Sequence, residues 1–206
     1  MQSLNRRFVV CVLALVFVSL ACNHWVPRFG VGGSYEEGKE QFLRGRSGNM
    51  DVAVAALESV VSQDPTYKDS MTYLGRAYYN KGRYQDAYAL LQRAVVIKRD
   101  DEMAWIAFGL AQLRLGQNEA GIESLKGGIT LASKAMVDGY HNFIYFDTRG
   151  LIKAQIRRSA FLITKGIEEK NDIISSTDRL LALVDDEVNF QRNTRIQNER
   201  PLYGNN

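Results

Sequence analysis

A period of 34 residues is the feature that most constrains this chain. Shifted by that distance, Leu74-Gly75 falls on Phe108-Gly109, Ala77 on Ala111, Gly82 on Gly116 and Leu91 on Leu125. One period upstream, Ala53, Leu57 and Val60 fall under Ala87, Leu91 and Ala94, and Asp64-Pro65 closes that unit. A fixed period of this length marks a stack of small units, none of which can bury its apolar face alone. Within a unit the pattern is helical. Tyr73 to Asn80 and Tyr84 to Ile97 are two helical stretches separated by Lys81-Gly82-Arg83, and glycine readily takes the left-handed conformation that ends a helix. Ala87, Leu90, Leu91, Ala94 and Ile97 recur at helical spacing and form one apolar face. Small Gly75, Ala87 and Ala94 let the two helices approach, and Met71, Leu74, Tyr78 and Leu91 fill the space around them. Gly121, Gly127 and Gly128 fall inside the second helix of the last unit, where each glycine costs about 1 kcal/mol against alanine. They read as room for a closely packed following helix; otherwise this helix ends near Lys126.

These positions resemble the tetratricopeptide repeat, whose pattern sets a bulky residue, Leu-Gly, Tyr, Ala, a large apolar residue, Ala and Pro at fixed steps. In residues 68–101 the matching residues are Met71, Leu74, Gly75, Tyr78, Ala87, Leu91 and Ala94, with Arg99 where Pro is usual. In residues 102–135 they are Trp105, Phe108, Gly109, Gln112, Gly121, Leu125 and Gly128, with Ser133 in place of Pro. A degenerate unit spans about 35–67: its second helix, Met50 to Val61, fits, but Glu40-Gln41 stand where Leu-Gly is expected in the first, Tyr35 to Arg44. The resemblance implies an all-α fold, a short helical solenoid of two to three repeats over residues 35–135.

Beyond Ser133 the period stops. Residues 136–149 carry Tyr140, Phe143, Tyr145 and Phe146, with His141, Asp138 and Asp147 among them, and read as a packed helical connector rather than a metal site. Ile152, Ile156, Ala160, Ile163 and Ile167 follow helical spacing, and so do Ile173, Thr177, Leu180, Leu181, Val184 and Val188. A repeat stack needs a terminal cap, and residues 136–196 are expected to supply it as two amphipathic helices, the second running toward Arg195. Asp185-Asp186-Glu187 reads as a solvated face. Residues 197–206 read as a polar tail.

The other end of the chain reads as an address. Arg6 and Arg7 precede an uncharged run from Phe8 to Ala21, shorter than the roughly 20 residues needed to span a bilayer and suited to the apolar region of a secretory signal. Ala21-Cys22 resembles the bacterial lipobox, which implies that residues 1–21 are removed and Cys22 is lipidated. Asn23 in place of Asp implies, by the same resemblance, the periplasmic face of the outer membrane. Residues 22–34, with Pro27 and several glycines, are expected to form a flexible tether. The chain has only two cysteines; Cys11 lies in the signal, so no free thiol or disulfide remains.

Composition narrows the chemistry. A net charge of +3, two Arg of which belong to the signal, gives no argument for nucleic acid. Two histidines and no spare cysteine leave no complete nucleophile or metal set, so no catalytic residue, metal, cofactor or small-molecule substrate is expected. Tetratricopeptide arrays hold protein segments in a concave groove lined by the first helix of each repeat. Carried over, the lining positions are Asp69, Thr72, Arg76, Tyr79 and Asn80 in one repeat, and Met103, Ile106, Leu110, Leu113 and Arg114 in the next. The first set is polar and the second mainly apolar. Either a partner's amphipathic helix fills the apolar part, or the chain's own C-terminal helices do; in that case partners would use the Asp69–Arg76 region, the convex surface or the tail. The expected role is a non-enzymatic, membrane-anchored scaffold or adaptor binding envelope proteins. The rivals are a structural subunit that oligomerises through its C-terminal helices, and a cell-wall enzyme.

Overall fold

The computed structural model describes residues 30–140, 143 and 145–199, with side chains to Arg195. The signal segment, Cys22, His141 and the end of the tail lie outside the described residues. Among the described residues eight α-helices follow one another: α1 (Gly30–Leu43), α2 (Met50–Gln63), α3 (Ser70–Asn80), α4 (Tyr84–Ile97), α5 (Glu102–Arg114), α6 (Asn118–Asp138), α7 (Leu151–Lys165) and α8 (Lys170–Glu199). They pair as α1/α2, α3/α4, α5/α6 and α7/α8, and the described residues contain no strand. No helix among them is long and apolar enough to cross a membrane.

The repeated glycines act at repeated helix ends. Gly82 and Gly116 both have positive φ, +75° and +81°. After α3, the Gly82 amide donates to the Tyr79 carbonyl and the Arg83 amide to that of Tyr78, both at 2.9 Å. After α5, Gly116 and Gln117 donate to Leu113 and Gln112 in the same way, at 3.2 and 2.9 Å. This paired return bonding satisfies carbonyls that a helix end would otherwise leave bare. Helix starts are fixed by side-chain acceptors: the Asn49 side chain takes the amides of Asp51 and Val52 at α2, and Asp101 takes that of Ala104 at α5.

Glycines also set the distance within each pair. A Cβ on Gly75 would lie 2.5 Å from Leu91 Cγ, and one on Gly109 2.8 Å from Leu125 Cγ. The degenerate first unit keeps this contact, but at Gly38, whose Cβ would meet Leu57 Cγ at 2.7 Å. Its connection between helices is longer, through a 3₁₀ turn at Gly45–Ser47, so the glycine sits three residues earlier than the period places it.

Several expectations are corrected. The helix α1 begins at Gly30, inside the stretch read as tether. α6 is continuous to Asp138, past both Lys126 and the expected boundary at 135, and Ser133, standing where proline is usual, permits that continuation. Gly121 and Gly128 make room for the preceding helix, not the following one: their Cβ atoms would lie 2.8 Å from Leu113 Cγ and 2.7 Å from Ile106 Cγ1 of α5. Nothing lies within 4 Å of a Cβ on Gly127, so packing does not require that glycine. α8 extends three residues beyond 196, into the stretch read as tail.

The connector from α6 to α7 is an aromatic knot. Tyr140 and Phe146 stack at 4.2 Å and Phe143 lies 5.8 Å from Phe146, while Tyr145 is exposed. Asp147 holds the start of α7 by accepting from the amides of Ile152 and Lys153, each at 2.9 Å.

Candidate partner-binding groove

The first helices of the pairs, α1, α3 and α5, line the concave side of the stack, and α8 lies against them. Ile173, Ile174, Leu180, Leu181 and Val184 of α8 are buried, together with Thr177. Met103 and Ile106 share a small apolar gap with Leu180 and Val184. The chain therefore fills the apolar part of its own groove. α7 braces α8 from behind through a buried polar seam, in which Gln155 Nε2 donates to the carbonyl and hydroxyl of Ser176 at 2.8 Å, and the Ser159 and Ser176 hydroxyls meet at 2.9 Å.

Charge fixes the register of α8. Arg76 of α3 is 4% exposed and its guanidinium lies 2.5 Å from the Asp185 carboxylate. The same guanidinium stands over the Phe42 ring at 4.9 Å. Burial opposes the charge on Arg76, but Asp185, with smaller help from Tyr73 and Tyr140, holds the guanidinium above its ordinary range. Burial pushes the Asp185 carboxyl up, and Arg76 pulls it part of the way back. Two turns earlier on α8, Asp178 accepts from the Tyr79 hydroxyl at 2.9 Å and pairs with Arg114 at 3.3 Å. Burial, then Asp178, raises the Tyr79 phenol above its usual range. Toward the other end of α8, Arg192 reaches Glu36 of α1 at 3.1 Å.

The ten candidate lining residues thus divide. Arg76, Tyr79 and Arg114 bind α8. Thr72 is buried and donates to Asp101 at 2.7 Å. Asp69 accepts from the Tyr35 hydroxyl and pairs with Lys39 at 3.5 Å. Asn80 is exposed. Met103, Ile106, Leu110 and Leu113 are all buried in this chain, and Ile106 and Leu113 pack on the glycines of α6. The sequence reading missed Asp178 and Asp185. It placed Asp185 on a solvated face, and the structure corrects this: Asp186 faces solvent, but Asp185 is the partner of a buried arginine. The signal was present, since Asp178 and Asp185 are seven residues apart and so lie on one helix face, beside the apolar residues Leu181 and Val184.

One part of the groove stays open. Beyond Val184, between α1, α3, the start of α5, Tyr140, Phe143 and α8, lies a cavity of about 380 Å³. Its lining includes Lys39, Arg76, Lys98, Arg192 and Arg195 as cations and Glu36, Asp69, Asp101, Glu102 and Asp185 as acids. Burial lowers the Lys39 ammonium, against the pull of Asp69. Burial raises Asp101, against its bonds to the Ala104 amide and the Thr72 hydroxyl. Lys98 stands at the rim, exposed.

The chain matches no curated protein. Residues 46–113, from the turn before α2 to the end of α5, match the family model of the tetratricopeptide repeat. Repeats of this family generally mediate protein–protein interaction. With the paired helices and glycine contacts above, that match identifies the fold as an all-α tetratricopeptide-repeat solenoid.

Proposed function

We propose that this protein is a scaffold or adaptor of the bacterial cell envelope, held at a membrane by lipid on Cys22, and that it takes a partner's segment at the charged mouth of its groove. The observation that carries the reading is the division of the groove: α8 occupies the apolar part, and about 380 Å³ lined by charged side chains is left beside Arg76. A partner helix seeking the apolar part would have to displace a helix of the same chain, which acts at a high effective concentration. A polar or charged segment entering the mouth displaces none of the described helices. The apolar faces of α7 and α8 are used within the chain, which favours an adaptor over a subunit that oligomerises through them. The signal-like residues 8–21 and Ala21-Cys22 support the anchor, with Asn23 supporting the periplasmic face of the outer membrane.

A photo-crosslinking residue at Lys98, in the full chain in its own cells, tests the mouth. The expected product is a crosslink to another envelope protein, lost when Arg192 and Arg195 are changed to glutamate. Crosslinks confined to the same chain overturn the reading. The anchor is tested separately by labelling with a fatty-acid probe: labelling lost in Cys22→Ala is expected, and labelling that persists removes it.

A further inference from the structure

The outward face of α7 is unlike the rest of the surface. Its sequence, LIKAQIRRSAFLITK, contains four cations and no acid. The buried face of α7 carries Ile152, Gln155, Ile156, Ser159, Leu162 and Ile163. The exposed face carries Lys153, Ala154, Arg157, Arg158, Phe161 and Lys165. Phe161 stands at the centre of this arc, 60% exposed. Residues three and four apart are neighbours on a helix, so Arg157, Arg158 and Lys165 surround the ring. The Lys165 ammonium lies 5.1 Å from its centroid. Lys165 also has a long contact to Glu169, 3.9 Å, both side chains well exposed. Among the described residues, no carboxylate pairs with Lys153, Arg157 or Arg158. Acids flank this face at both ends: Asp186 and Glu187 share a hollow with Leu151 at the start of α7, and Glu168 and Glu169 follow its last turn.

We propose that this face of α7 docks on an anionic phospholipid surface, with Phe161 entering the interface and Lys153, Arg157, Arg158 and Lys165 meeting the headgroup phosphates. Cations ringing an exposed aromatic, with Arg157 and Arg158 lacking a carboxylate partner among the described residues, complement a surface that is negative at the headgroups and apolar beneath them. Protein partners favour pockets that enclose an anchor. The outer face of a single helix is convex, and a deformable lipid surface can follow it. The inference extends the proposed placement at a membrane, but it does not need the lipid on Cys22.

The test uses the full-length chain with Cys22→Ser, so that no lipid is attached. Flotation is measured with vesicles of phosphatidylcholine alone, and of phosphatidylcholine and phosphatidylglycerol in equal parts, at about 0.1 M salt, where screening sets in near 10 Å. The apolar residues 8–21 contribute equally to every variant, so the comparison is between variants. The unsubstituted chain is expected to prefer the phosphatidylglycerol vesicles. Each cation near such a surface is worth about fivefold in binding, so Arg157→Gln with Arg158→Gln should lower that preference by roughly 30-fold. Phe161→Ala should weaken binding by roughly tenfold. These positions are exposed, and an unchanged helical circular dichroism spectrum confirms that the variants fold. Equal binding to both vesicles overturns the proposal, and is the result that a face built for an acidic protein would give. A preference that survives the double glutamine change overturns it as well. Failure of Cys22 labelling with an intact α7-dependent preference would remove the anchor and leave this inference standing.

Discussion

Removing the charge of Arg76 should release a measurable part of what holds α8 in the groove. Arg76 is 4% exposed and Asp185 19%, and the two meet at 2.5 Å. Arg76→Met keeps most of the packing over Phe42 and leaves Asp185 without its cation. Breaking a buried pair from one side typically costs 3–5 kcal/mol. Because Asp185 retains some contact with solvent, a loss of about 3 kcal/mol is expected in urea unfolding at neutral pH. The loss should depend on pH in a stated direction. Burial raises the Asp185 carboxyl and Arg76 opposes that rise. Without Arg76 the folded-state pKa climbs further above the unfolded value. In that window the folded state binds the extra proton, so stability falls as pH rises. Arg76→Met should therefore recover about 1.4 kcal/mol for each pH unit of acidification within the window. A second substitution closes the argument: with Asp185→Leu added, no buried charge is left unpaired, and most of the loss should return. By contrast, Arg114 and Asp178 are each more than a third exposed, and Arg114→Met should cost no more than about 1 kcal/mol. A loss below 1 kcal/mol for Arg76→Met at neutral pH, or one that stays constant down to about pH 5, would refute the view that this ion pair docks α8.

The glycines of α6 should separate cleanly. Gly127→Ala should stabilise by about 1 kcal/mol, since helix propensity improves and the new methyl meets nothing, whereas Gly128→Ala should destabilise by about 1–3 kcal/mol by driving into Ile106 and the α5 backbone; thermal unfolding reads both. In alkali, burial holds the phenols of Tyr35, Tyr73, Tyr79 and Tyr140 above their ordinary range, and burial with the Glu58 bond pushes Tyr78 up to about 12. The contribution of these groups is whole below the unfolded phenol pKa and is lost as pH rises through the folded values. Stability should fall steeply above pH about 10, and phenolate absorbance of the buried tyrosines should appear together with loss of helix rather than before it.

The repeat was legible because it is written in residues whose job is geometric. Gly82 and Gly116 end helices in the left-handed conformation, and Gly75 and Gly109 admit a leucine, so the same positions recur whatever the surface does. The first unit was harder to read because three extra residues moved its glycine from the expected position to Gly38. The pairing of Arg76 with Asp185 spans 109 positions. No local pattern carries that separation, and only the placement of α8 against α3 brings the two together. Leu110 and Leu113 were legible as apolar residues of a first helix, but periodicity alone does not say what covers them. α5 is apolar nearly all round, and a helix of that kind is buried on every side. That was the sequence's clearest sign that the apolar part of the groove is covered.

A solenoid that fills its own groove meets a different requirement from one that stays open. In an open array the apolar concave face is exposed until a partner arrives, which invites aggregation. Here α8 removes that hazard, and the buried charges fix how it sits. A helix bearing only Ile173, Leu180 and Val184 would find similar apolar contacts one turn along the groove. Asp185 under Arg76 and Asp178 under Tyr79 and Arg114 select one register, because a shift of one turn leaves Arg76 buried without its carboxylate. Charge pairing here adds less to the depth of the fold than to its uniqueness, and that uniqueness is what a scaffold needs. With α8 locked, the mouth of the groove at Arg76 and the cationic face of α7 are held in a fixed relation through the Gln155–Ser176 seam. If the mouth takes a partner and α7 a membrane, as proposed, the two are presented to each other at a set angle.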